Sequence, residues 1–128
     1  MPQPDIAISE IPDSVTVCVM SCGRLDLLAK TMASFRAYNT GGRYIISEDS
    51  AGQAVIAEAE RMYPEAEVIS GPERLGIMRS IDRLYAAVTS PYIFHLEDDW
   101  GFDGPINWKA AIALLEQDSK IEIGRAHV

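Results

Sequence analysis

Cysteine is scarce in this 128-residue chain: Cys18 and Cys22 are the two copies, four apart around the end of one apolar run. That scarcity excludes a disulfide framework. The spacing is not CxxC and has no clustered histidines beside it, which argues against a zinc site. The pair reads as reduced thiols of a cytoplasmic protein. Positive charge is in the minority, with 11 Lys and Arg against 19 Asp and Glu and a net charge of −8. Such a chain repels phosphate backbones, which speaks against nucleic acid as a partner. Any phosphorylated ligand needs local cations or a metal to meet it. No apolar run approaches the roughly 20 residues that span a bilayer, so no integral membrane segment is expected. Residues 1–13 contain three prolines and lack the basic-then-apolar order of a signal peptide; they read as a flexible leader.

Three nucleotide- and phosphate-site signatures are also missing. A dinucleotide-binding Rossmann domain carries GxGxxG after its first strand, where this chain has Cys22-Gly23-Arg24-Leu25. The GxxxxGK[ST] of a P-loop is absent. A receiver-like or phosphatase-like Mg²⁺ domain needs a carboxylate at the first strand end, and Ser21-Cys22-Gly23 offers none.

What is present is an alternation. The length fits one domain with a real core, and 48% hydrophobic with 23% charged residues is ordinary for a globular protein. Residues 15–20 form an uncharged, β-branched run that reads as a strand buried on both faces. From 24 to 38, Leu25, Leu28, Met32 and Phe35 recur at helical spacing, until Asn39-Thr40-Gly41-Gly42 turns the chain. A second strand is expected over 44–46, a helix over 52–63 stopped by Pro64, and a third strand over 67–69. The loop 71–76 leads to a helix over 77–88, with Ile77, Ile81, Leu84 and Val88 inward. A fourth strand over 92–96 and a helix over 106–117 follow. This βα order predicts an α/β fold, Rossmann-like, with a mostly parallel sheet flanked by helices.

Ligands of open α/β sheets sit beyond the carboxyl ends of the strands. Here those ends are Ser21-Cys22-Gly23, Glu48-Asp49-Ser50, Ser70-Gly71 and Glu97-Asp98-Asp99. Three adjacent carboxylates repel one another unless a cation neutralises them. Oxygen ligands suit Mg²⁺ or Mn²⁺, although a solvated acidic loop gives the same triplet. Asp49 is placed to accept from a nucleobase N–H or a ribose hydroxyl, or to cap the helix that begins near Gly52. Arg74, Arg79 and Arg83 cluster around the third helix. Arg79 and Arg83 share a face and suit a diphosphate, or else pair with Asp82 or Glu73. His95, inside a buried strand, reads as a satisfied core residue. Trp100 reads equally as the flank of a sugar pocket or as a packing anchor.

These four segments, in this order, resemble the family 2-like glycosyltransferases of GT-A fold. The stretch VTVCVMSCGRLDLLAKTMASF looks like their opening strand and helix, and Ile46-Ser47-Glu48-Asp49-Ser50 like their second-strand acidic element. The run from Gly71 to Gly76 with the Arg79 helix is similar to the segment that leads to their metal motif. Pro91 to Trp100 resembles that motif, usually called DXD. The resemblance covers about residues 14–121. It implies a nucleoside-diphosphate sugar of UDP or GDP type as donor, touched by Ser21 and Cys22, with the base on Asp49. It implies a divalent metal on Asp99, and Glu97 or Asp98 helping on ribose or metal. The first acid of the pattern is either Glu97 or replaced, which leaves that split of roles open.

The domain is expected over 14–122, incomplete at its C-terminal end. Residues 123–128, Ile-Gly-Arg-Ala-His-Val, are what a common sequencing-adapter read encodes and are expected to be non-native, with a short strand over 121–123 as the alternative. The acceptor region and the carboxylate base are expected beyond this chain, so no residue in it is a catalytic candidate and the chain as given is expected not to transfer sugar. A non-catalytic nucleotide- or carbohydrate-binding α/β module fits the same residues.

Overall fold

The computed structural model describes residues 7–117. Its central strand is β2 (Val15–Ser21), which lies between β4 (Arg43–Glu48) and β6 (Tyr92–Glu97), with β5 (Glu67–Ile69) outside β4. All neighbours are parallel. Side chains alternate across a strand, so β2 feeds both faces. Val15, Val17 and Val19 join one core cluster, and Cys18 joins the other. That is why the run carries no charge and no polar alternation.

The helices divide unequally between the faces. From α1 (Leu25–Arg36), Leu28, Met32 and Phe35 are buried in the first cluster. Met62 of α2 (Gln53–Met62) packs on that cluster, as do Trp108 and Ile112 of α4 (Trp108–Gln117). α3 (Ile77–Ala86) covers the opposite face through Leu84 and Tyr85. The sheet order β5-β4-β2-β6 explains the split. The chain moves outward from β2 to β4 to β5 and then returns past β2 to β6. Right-handed crossovers put the helix of a reversed step on the other face.

The larger cluster is built around Phe35, which has no exposed surface. Its ring stacks on Phe94 at 5.4 Å between centroids and meets Phe102 at 5.2 Å and Trp108 at 6.2 Å edge-on. Such pairs add about 0.5–1.5 kcal/mol each beyond burial.

Two features depart from the sequence reading. The stretch expected to be a loose leader over residues 1–13 is ordered in its second half. β1 (Ser9–Glu10) pairs in parallel with β3 (Asn39–Thr40), and Ile11 is buried in the core. Pairing fixes the backbone there despite the nearby prolines, and Asn39, read as a turn former, accepts from Ile106 N–H and donates to the Phe35 carbonyl. The second departure is Ile77, expected inward and 69% exposed. α3 begins beyond the end of the sheet, so its first turn has no strand beneath it. Ser80 and Leu84 take the inward positions. The suspected tail over 123–128 and the strand over 121–123 lie outside the described residues. Among the described residues no helix is long and apolar enough to cross a membrane.

Phe35→Ala removes the ring that four other aromatics meet. It is expected to cost about 3–5 kcal/mol in urea unfolding, and a loss below about 1 kcal/mol contradicts this account of the core.

Candidate functional site

The strand order places the topological switch point between β2 and β6, where the order of the strands reverses. A cleft of about 350 Å³ opens there. β2 contributes Met20 and Ser21 to it, with Cys22 and Arg24 following. The end of β6 contributes Glu97, Asp98 and Asp99, and Asp49, Arg74 and Ile77 close the third side. A volume in this range suits a small ligand.

The floor is tied by Glu48, a residue the sequence reading did not single out. Its side chain has no exposed surface. It accepts from Ser21 Oγ at 2.8 Å, from the Gly23 N–H at 3.0 Å and from the Ser50 N–H at 2.9 Å. Gly23 has φ +77°, which suits glycine and turns its N–H onto the carboxylate. The tip of β2 is thereby fixed to the tip of β4. The sequence signal was a carboxylate directly before Asp49, masked because acidic strand ends were read as ligand groups.

Asp49 is buried and faces the other way. Oδ1 accepts the Leu75 N–H at 2.8 Å and Oδ2 the Gly76 N–H at 2.9 Å. It therefore latches the loop that enters α3 and does not cap α2, whose N-cap, Gly52, makes no side-chain capping bond. A carboxylate has about four acceptor positions, so two amides leave capacity for a ligand donor. Beneath it, Arg83 donates to Ser47 Oγ at 3.3 Å and lies 3.9 Å from Asp49.

The acidic triplet does not converge, and alternation along β6 is the reason. Glu97 lies on the α3 face with His95, two residues before it, and the His95 Nε2 is 2.9 Å from Glu97 Oε2. Asp98 lies on the α1 face, buried. Arg24 grips it through Nη2 at 2.6 Å and Nε at 3.3 Å, and its carbonyl accepts from Thr31 Oγ1 at 2.8 Å. Asp99 comes after the strand and is exposed at the mouth. Among the described residues, no three His, Cys, Asp or Glu side chains group to hold a metal ion by themselves.

Of the residues expected from the sequence, Ser21, Cys22, Asp49, Glu97, Asp98 and Asp99 meet in this cleft. Arg79 does not: it is exposed on α3 and does not line the cleft. The guanidiniums there belong to Arg74 and Arg24, because the helix turns Arg79 away from the strand ends while the loop before it folds over them. Arg24 was missed because it reads as the start of a helix. His95 is satisfied in the interior as expected, bonded at both ring nitrogens. Trp100 stands 6.0 Å from the His95 ring, edge-on, and remains 42% exposed. No protein-family model and no curated protein matches this chain.

Glu48→Ala leaves two backbone amides and a hydroxyl without their acceptor. It is expected to cost about 3 kcal/mol or more in urea unfolding, and a change within about 0.5 kcal/mol refutes the tie. Burial pushes the Cys18 thiol up to about 12, so it stays protonated at neutral pH, when thiolate is the reactive form. Iodoacetamide is expected to label Cys22 in the folded protein and Cys18 after unfolding, read by peptide mass spectrometry. Early labelling of Cys18 contradicts its burial.

Proposed function

We propose that this chain is the donor-binding part of a GT-A-fold glycosyltransferase, family 2-like, that takes a UDP- or GDP-type nucleoside-diphosphate sugar with Mn²⁺ or Mg²⁺. The observation that carries the reading is the cleft at the switch point, where Asp49, Glu97 and Asp99 stand beside the β2 tip. Its charge supports the same reading. Four carboxylates, Asp49, Glu97, Asp98 and Asp99, face two guanidiniums, Arg24 and Arg74. A diphosphate entering that field needs a further cation.

The residues fit a divalent metal of this kind. Mg²⁺ sites typically use one or two carboxylates and take their other ligands from phosphates and water, so a three-residue cage is not required. Asp99, with no hydrogen-bond or ion-pair partner among the described residues, and Glu97 would hold the ion. Bound there, it neutralises the charge that develops on the leaving diphosphate. Asp49 accepts from the base with the capacity its two amide bonds leave. Ser21 and Cys22 line the nucleotide through the β2 tip, whose backbone Glu48 holds rigid. Arg74 lies over the phosphates, and Arg24 keeps Asp98 neutralised in the α1 wall. In the reaction the acceptor hydroxyl oxygen bonds to the anomeric carbon and the bond from that carbon to the diphosphate breaks. The bonding pair leaves on the phosphate oxygen and the hydroxyl proton passes to a base, which this reading assigns to no residue of the chain.

Calorimetry with UDP and with GDP, in Mn²⁺ and in chelator, tests the reading. Affinity for one of them is expected to rise with Mn²⁺. Asp99→Ala is expected to abolish that rise while holding stability within about 0.5 kcal/mol, as an exposed position should. Bound nucleotide is also expected to slow Cys22 alkylation. Equal affinity of the wild-type chain in Mn²⁺ and chelator for both nucleotides overturns the metal reading.

A further inference from the structure

One hydrogen-bonded chain in the molecule starts in the core and ends in the cleft. Tyr85 of α3 sets its hydroxyl 2.9 Å from His95 Nδ1, with the two rings at 85°. His95 Nε2 is 2.9 Å from Glu97 Oε2. His95 is 7% exposed, whereas the Glu97 side chain is 35% exposed and lines the cleft. The direction of the chain follows from its last member. A carboxylate only accepts, so Nε2 carries the proton. In the neutral ring Nδ1 then accepts, and the Tyr85 hydroxyl donates to it. Burial pushes that phenol up to about 12, so it keeps its proton.

Packing alone does not call for this arrangement. An apolar residue at position 95 would fill the α3 face, as Leu84 and Cys18 do beside it, and would bury no polar atoms. The polar chain instead terminates on a partly exposed carboxylate at the switch point. We propose that Tyr85 and His95 are a positioning pair for Glu97: they fix the imidazole with its proton on Nε2, hold Oε2 of the carboxylate, and leave Oε1 as the oxygen offered to the metal–diphosphate ligand. This rests on the metal-dependent nucleotide site proposed above. Partners that orient a metal-binding carboxylate are typically worth about 10–100-fold in affinity.

The experiment uses the full chain with His95→Leu, His95→Gln and Tyr85→Phe, titrated with UDP and GDP in Mn²⁺ and in chelator. Leu fills the volume without a donor, and the Gln amide nitrogen reaches the place of Nε2. His95→Leu is expected to lose about tenfold or more of the Mn²⁺-dependent affinity and none of the affinity in chelator, Tyr85→Phe to lose less, and His95→Gln to recover most of it. A ¹⁵N-imidazole spectrum of the wild-type chain, assigned by the signal that His95→Gln removes, is expected to show the Nε2–H tautomer. Wild-type metal-dependent affinity in His95→Leu, or in Tyr85→Phe and His95→Gln together with an Nδ1–H tautomer should the Leu variant not fold, overturns the pairing. Metal-independent nucleotide binding by the wild type overturns the underlying site, and the pairing with it.

Discussion

Glu48 carries a negative charge into a place with no exposed surface, and the candidate site is arranged around that fact. Parallel strands have no hairpin to set their relative height, so their tips must be levelled by something else. In this molecule the register puts Ser21 opposite Glu48. The carboxylate then binds the Ser21 hydroxyl and the Gly23 amide on one strand and the Ser50 amide on its own. Buried carboxylates are tolerated when donors surround them. With the β2 tip held, Cys22 and Arg24 have fixed starting points, and the cleft inherits a rigid floor.

The next constraint is the period of two in β6. Adjacent residues must face opposite sides, so Glu97 and Asp98 find different partners although both line the cleft. Glu97 goes to the face of α3, where Tyr85 and His95 wait. Asp98 goes to the face of α1, where Arg24 and Thr31 take it. Asp99, past the strand, belongs to neither face. Three like charges in a row are thus separated into an imidazole-bound, a guanidinium-bound and a solvent-facing carboxylate, which relieves the repulsion that the sequence alone presents.

Much of this architecture was legible beforehand. The uncharged run of β2, the spacing of Leu28, Met32 and Phe35 and the punctuation by Gly and Pro gave the parallel α/β order, because those signals are local. β1 and β3 were hidden, since two-residue strands have no period to read and Asn39 looks like a turn former until its partners at Phe35 and Ile106 are known. In the cleft, residue types at strand ends were legible, and pairings were not. Nothing local says that Asp49 reaches Leu75 and Gly76, 26 and 27 positions away, or that Arg24 reaches Asp98 across 74. Arg79 failed for the opposite reason: its helical neighbourhood was right, but the direction of its side chain depends on where α3 begins relative to the sheet.

That geometry also bears on how an anion is accommodated in an acidic protein. Arg24 stands at the cleft with a side chain 55% exposed, yet its donors are directed at Asp98, so its charge is largely spent before a ligand arrives. Of the two guanidiniums that line the cleft, Arg74 is then the one left to oppose Asp49, Glu97 and Asp99. Asp49 is offset by two amide dipoles, and Arg83 lies 3.9 Å from it. Glu97 is bonded to the His95 imidazole, and Asp99 is exposed to solvent. Dipoles orient a carboxylate without cancelling its field, so the cleft stays anionic and a bare diphosphate is repelled from it. A divalent cation reverses the sign of that argument: the same carboxylates that exclude the anion attract the ion that bridges to it. The proposed donor site therefore depends less on the number of acids at the strand ends than on Arg24 having withdrawn Asp98, which leaves Glu97 and Asp99 as the carboxylates proposed to hold the ion.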